Sequence, residues 1–192
     1  MSSRVGLLLV CAALTSACIY SRTSSDTGRS ATEQLLISHS IERAVARLDL
    51  PALSGRKVAV SLEAVPAADT GYLRGLLEAR LGAEGALLVA PEQAEVKVVA
   101  LVGAIGTVSR RGSFGLPPIP IPTIGVTPDL PFVSTARQSG WTRLQVTVWE
   151  AGGAQIARSS GVQIESSLSL TSVLFVEFRS ADIYPEEGIV LE

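Results

Sequence analysis

The chain has 192 residues, 47% of them apolar and 18% charged, with a formal net charge of -2. That is a globular composition, long enough for one buried core and without a basic field to collect nucleic acid. Two cysteines and one histidine exclude a disulfide framework and a structural zinc site.

The first segment reads as an address. Arg4 precedes an apolar stretch, Val5–Leu14, followed by the small residues Thr15, Ser16 and Ala17. This is the basic, apolar and small-residue order of a secretory signal over residues 1–17. The apolar run is about ten residues, half of what a membrane-spanning helix needs. It ends on Cys18, and "LTSAC" resembles the lipobox of bacterial lipoproteins, with Thr15 where that pattern usually has Leu. The resemblance implies cleavage before Cys18 and acylation of its sulfur and new amino group, since one chain alone binds a membrane only marginally. The alternative is a plain secretory signal with Cys18 left as a free thiol. Ile19 stands where an Asp would favour inner-membrane retention, so the outer membrane is the expected site. Residues 18–29, rich in Ser, Thr, Gly, Arg and Asp, read as a flexible tether.

One globular domain is expected over residues 30–192. Ser30 and Glu33 have capping-box spacing. The apolar stripe Leu36, Ile37, Ile41, Ala44, Val45 and Leu48 predicts a first helix, stopped by Pro51. Val58, Val60 and Leu62 alternate with Ala59, Ser61 and Glu63, as on a strand with one apolar face. Asp69 and Thr70 predict the start of a second helix carrying Leu73, Leu76, Leu77 and Leu81, ended by Gly82 or Gly85. A short run and a turn near Pro91 lead to a long β-branched strand from Glu95.

Residues 112–131 hold six of the ten prolines, with Leu116, Ile119, Ile121, Ile124 and Val126 between them. The prolines impose extended geometry, and the apolar residues argue for an ordered loop. Leu116, Ile119, Ile121 and Ile124 form either a partner-contact strip or a cover for the core. A strand over Trp141–Glu150 and a partner over Gln155–Ser166 predict a hairpin turning at 151–154. The run near Val173–Phe178 fits a strand or a helix start. The expected fold is α+β, an α/β sandwich: a mixed sheet of about four to five strands with two helices on one face.

Chemistry is sparse. His39 has no recognisable nucleophile–base–orienter partners in sequence. Glu63, Asp69, Glu78, Glu84, Glu95, Asp129, Glu150 and Glu165 are the scattered acids available for two-carboxylate work. No phosphate loop or metal-ligand spacing occurs, so no cofactor or metal is implied. Trp141 and Trp149, an even distance apart, share one face of their strand.

The tether, "SATEQLLISHSIERAVARLDLPALSGRKVAV", the "PPIPIPTIGVTPDLP" loop and "DIYPE" resemble an uncharacterised family of bacterial lipoproteins defined as a domain of unknown function. The resemblance covers most of residues 24–185 and brings no catalytic residues. The element order is also similar, at fold level only, to curli-secretion lipoproteins, the amino-terminal domain of TolB and penicillin-binding-protein activator lipoproteins. The signal, the absent catalytic set and the apolar Pro-rich loop lead to the expectation of a non-enzymatic, lipid-anchored envelope protein facing the periplasm. Its expected partners are the membrane, through Cys18, and other envelope proteins. A carrier of a lipid or small apolar ligand and an envelope hydrolase are the alternatives.

Overall fold

The computed structural model describes residues 20–24, 29–64, 69–121, 125–127, 130–174 and 176–183; for 20–24 and 121 the description is of the backbone. The residues group into two compact units. One comprises Asp26–Val108, Gln138–Ser167 and the chain from Asp182; the other comprises Ser109–Arg137, Leu168–Ala181 and the amino-terminal segment. Three long strands contribute residues to both: β4 (Val96–Leu116), β7 (Leu130–Glu150) and β9 (Val162–Val173).

The first, helical unit opens with α1 (Ala31–Ala46). The expected capping box forms. Glu33 N–H donates to Ser30 Oγ at 3.3 Å, and Ser30 N–H donates to Glu33 Oε2 at 2.8 Å. Two of the otherwise orphaned donors at the helix start are thereby satisfied. The stripe Leu36, Ile37, Ile41, Ala44 and Val45 is buried. β2 (Lys57–Ala64) follows, then α2 (Thr70–Ala83), the two-residue β3 (Leu87–Leu88) and a 3-10 turn at Pro91–Gln93. β2 lies parallel to both β3 and β4, with Val58 opposite Val96 and Leu62 opposite Ala100. β7 is antiparallel to β8 (Gln155–Arg158), which closes the expected hairpin with a bulge at Val148/Trp149.

One side of this sheet is apolar and the helices cover it. Val58, Val96, Val98, Ala100, Val102, Leu144, Val146 and Val148 form one cluster with Ile37, Ile41, Val45, Leu73, Leu77 and Leu81. Their two-residue strand spacing and three-to-four-residue helix spacing are the periods that turn one face inward. Two tight features hold α1 and α2. Gly140 passes under α1 so closely that a Cβ there would lie 2.4 Å from the Leu36 carbonyl oxygen. Arg80 on α2 donates to the carbonyls of Val45 and, at 3.0 Å, Leu48, capping the carboxyl end of α1. α2 ends in a Schellman turn: Ala86 N–H bonds Leu81 O and Gly85 N–H bonds Gly82 O, each at 3.0 Å. Gly85 has φ +89°, a conformation that costs other residues roughly 1–2 kcal/mol.

The second, strand-rich unit is built from residues 109–116 of β4, 130–137 of β7, 168–173 of β9, and β10 (Val176–Ala181). β10 is antiparallel to β9, with Phe178 opposite Thr171. β1 (Tyr20–Ser24) lies antiparallel to β4, with Tyr20 opposite Ser113 and Ser24 opposite Ser109. A small second sheet pairs β5 (Pro120–Ile121) with β6 (Gly125–Val126). Gly115 permits the approach of β7, since a Cβ there would meet Leu130 O at 2.2 Å.

The class is mixed α+β, as expected, but the sheet is larger than four to five strands. Its hydrogen-bonded order is β10-β9-β7-β4-β2-β3, with β1 added on β4 and β8 on β7. The surplus has four sources, the first being that the single strand expected over Gln155–Ser166 divides into β8, ending at Arg158, and β9, beginning at Val162. Tyr20–Ser24, expected as tether, pairs along the edge of β4. The run near Val173–Phe178 forms the β9–β10 hairpin, which decides strand over helix. A two-residue parallel strand, β3, forms where only a short run was evident. Asp69 also departs from expectation. It precedes α2 but makes no side-chain cap, and its carboxylate pairs with Arg29 instead. Its backbone, φ -101° and ψ 20°, is not the extended form that aims a cap at the helix.

Candidate functional site

Within the strand-rich unit, the Pro-rich segment is a built turn. Leu116 closes β4 and Leu130 opens β7, so both ends of the segment expected as loop are strand. Between them, Pro120 pairs with Val126 and Ile121 with Gly125. Thr127 clamps Ile119 from both sides: its N–H donates to Ile119 O at 3.0 Å, and its Oγ1 accepts from Ile119 N–H at 2.7 Å. Leu116 and Ile119 are about half exposed, at 48% and 52%. The choice left open by the sequence thus falls on exposure for these two residues. Ile121 is described by its backbone alone, and Ile124 and Cys18 lie outside the described residues.

The turn of β9–β10 lies beside this region. Leu174 N–H donates to Phe132 O at 2.9 Å, tying the two hairpins together. Leu174 is 61% exposed and Phe178 59%. Phe114, Val126, Leu130, Phe132, Val133, Val173 and Val176 are exposed as well. Soluble surfaces scatter such residues singly, and their concentration on these strand ends and turns is what a contact surface would supply. Sequence reasoning missed most of them. The available signal was the apolar run "VLFV" at 173–176, because successive strand residues face opposite ways and a run of apolar residues cannot all be buried on one side.

Charge among the described residues of this unit is one-sided. They include Arg22, Arg110, Arg111, Arg137 and Arg179 against the single acid Glu177. Arg111 of β4 stands opposite Arg22 of β1.

The helical unit holds the polar groups that chemistry would need, and they are engaged in packing. His39 Nδ1 lies 3.1 Å from Ser166 Oγ, and Ser40 Oγ lies 2.7 Å from Thr142 Oγ1. Ser166, Ser40 and Thr142 are fully buried. The seam therefore orients α1 on β7 and β9, and the Ser166 hydroxyl does not face solvent. Arg43 extends it by pairing with Asp182 at 3.1 Å.

The acids also find partners. Glu95 and Glu150 both flank Arg56, at 3.4 and 3.7 Å. Glu84 pairs with Arg80. Glu42 accepts from Tyr72 Oη at 2.5 Å. That hydrogen bond, then burial and the neighbouring negative charge, push the Tyr72 hydroxyl up to about 12 from an ordinary 10.0. Glu63 is exposed at the end of β2, Glu78 lies half-buried on α2, and Asp129 is outside the described residues. No group of three or more His, Cys, Asp and Glu among the described residues is placed to hold a metal ion.

The space between helices and sheet is filled; Leu73, Leu77, Leu81, Leu144 and Val98 have no exposed surface. An open hollow of about 380 Å³ lies elsewhere in this unit, beside Leu62, Ala64, Thr70, Gly71 and Arg74. Trp141 and Trp149 alternate with the buried Thr142, Leu144, Val146 and Val148, on the face turned from the helices. Among the described residues, no helix is long and apolar enough to cross a membrane. No family model matches the sequence, and no curated protein matches it.

Proposed function

We propose that this chain is a lipid-anchored protein of the bacterial cell envelope that works by contact. In this account the leader over residues 1–17 is removed, Cys18 is acylated, and the protein faces the periplasm, with the outer membrane favoured by Ile19. The helical unit serves as a rigid scaffold. The turns of the strand-rich unit serve as the contact surface. The observation that carries this proposal is the group of exposed apolar residues around Leu116, Ile119, Phe132 and Leu174, held in place by paired backbone. Such exposure is costly in solution and useful at an interface.

The competing functions draw less support. A carrier needs an apolar cleft, and the helix–sheet interface is occupied by the chain's own leucines and valines. A hydrolase working by two carboxylates needs convergent acids, and Glu95 and Glu150 converge on an arginine.

Attachment is tested by Cys18→Ala. The variant is expected to leave the membrane fraction and to lose labelling by a fatty-acid probe. Unchanged fractionation with unchanged labelling would overturn the anchor.

A further inference from the structure

We infer that the turn end of the strand-rich unit docks into the lipid bilayer, with the acyl chains of Cys18 entering beside it. The choice of a bilayer as the surface that meets these turns rests on the anchor proposed above.

The register of β1 sets the geometry. Tyr20 lies opposite Ser113, and Ser24 lies opposite Ser109. The chain therefore enters β1 from the side of Phe114 and Leu116, the turn end of β4. Cys18 is two residues upstream of Tyr20, and two residues reach at most about 7 Å. The opposite register would have put the anchor at the Ser109 end, with the apolar turns directed away from the membrane. A protein partner would account for the apolar patch alone. The membrane accounts for the patch and for the side from which the anchored chain arrives.

Charge agrees. Arg110 and Arg111 on β4 sit behind Phe114 and Leu116, as basic residues do below an apolar element in an anionic leaflet. Backbone pairing among the described turn residues agrees as well. Hydrocarbon tolerates few unpaired N–H and C=O groups. At these turns Thr127 satisfies Ile119, Leu174 bonds Phe132, and Pro117, Pro118 and Pro120 carry no N–H.

The test uses the full chain made in a bacterial host, extracted in mild detergent and reconstituted into vesicles of phosphatidylethanolamine and phosphatidylglycerol. Ile119→Trp and Leu174→Trp each add one reporter; wild type supplies the signal of Trp141 and Trp149 in the helical unit. Circular dichroism matching wild type certifies the fold. Lipids brominated near the headgroup should quench the emission that each added tryptophan contributes above wild type roughly twofold, as expected for a residue seated at the headgroup–acyl boundary. Quenching should strengthen with phosphatidylglycerol and weaken with salt. An added tryptophan that stays open to aqueous iodide in vesicles overturns docking. So does an emission shift that is equally large without vesicles, which would mean that a second copy or another protein covers the turns. The mass of the same preparation separates the two halves. Quenching without acylation sustains docking and removes the anchor; acylation with an aqueous reporter sustains the anchor and removes docking.

Discussion

Leu174 donates its N–H to the Phe132 carbonyl while holding φ +44°, a left-handed backbone, with most of its side chain in solvent. Leucine is a poor choice for that conformation on folding grounds, since the left-handed form costs it roughly 1–2 kcal/mol. Glycine would remove the strain, less its greater freedom in the unfolded chain of about 0.4–1 kcal/mol. Leu174→Gly is expected to stabilise the protein by about 0.5–1 kcal/mol. Urea unfolding checks this; a lower midpoint would show that the side chain contributes to folding. A gain would mark Leu174 as serving something other than stability.

Gly140 and Leu36 set the distance between α1 and β7. The contact at Gly140 is backbone to backbone, so no flexible side chain can move aside. Gly140→Ala should cost about 1–3 kcal/mol, the range for overpacking. Gly152→Ala is the control, because nothing lies within 4 Å of a Cβ there; it should change stability by less than about 0.5 kcal/mol. Equal losses in the two variants would contradict the packing described.

Arg80→Met keeps much of the stem and removes the guanidinium. The Val45 and Leu48 carbonyls at the end of α1 then lose their charged donor. The expected loss is about 1–3 kcal/mol, since part-buried acceptors are left without a partner. Removing Glu84 from the same arginine should matter far less, under about 0.5 kcal/mol, because that i,i+4 pair is exposed to water. A reversed order in thermal unfolding would contradict this assignment.

Tyr72 gives a pH signature. Its hydroxyl is raised to about 12, first by the hydrogen bond to Glu42. A raised folded-state value means the bond stabilises fully below the unfolded value, near pH 10, and fades as pH climbs through about 12. Of the three tyrosines, Tyr72 should contribute a late component to ultraviolet titration. Tyr72→Phe should delete that component and Glu42→Gln should move it earlier. A late component surviving in Tyr72→Phe would assign it elsewhere.

What could be read from sequence was local. The stripe from Leu36 to Leu48 and the alternation at Val58–Leu62 lie within single elements, so one period determines which residues turn inward. What could not be read was distant. Tyr20–Ser24 has no apolar pattern and becomes a strand only because β4 offers an open edge about 90 residues later in the chain. His39 and Ser166 are 127 positions apart, and no spacing rule connects them. Ile119 was legible as apolar between prolines. That Leu174 would bond Phe132 depends on the β9–β10 hairpin, which a short apolar run leaves ambiguous with a helix.

The central claim is attachment at Cys18 on the apolar side of the strand-rich unit. Mass spectrometry of the amino-terminal peptide, taken from protein extracted from membranes, tests it most directly. The account predicts a mature chain beginning at Cys18, heavier than its sequence by a diacylglyceryl group and a further acyl chain. A chain beginning elsewhere, or an unmodified Cys18 thiol, would contradict it.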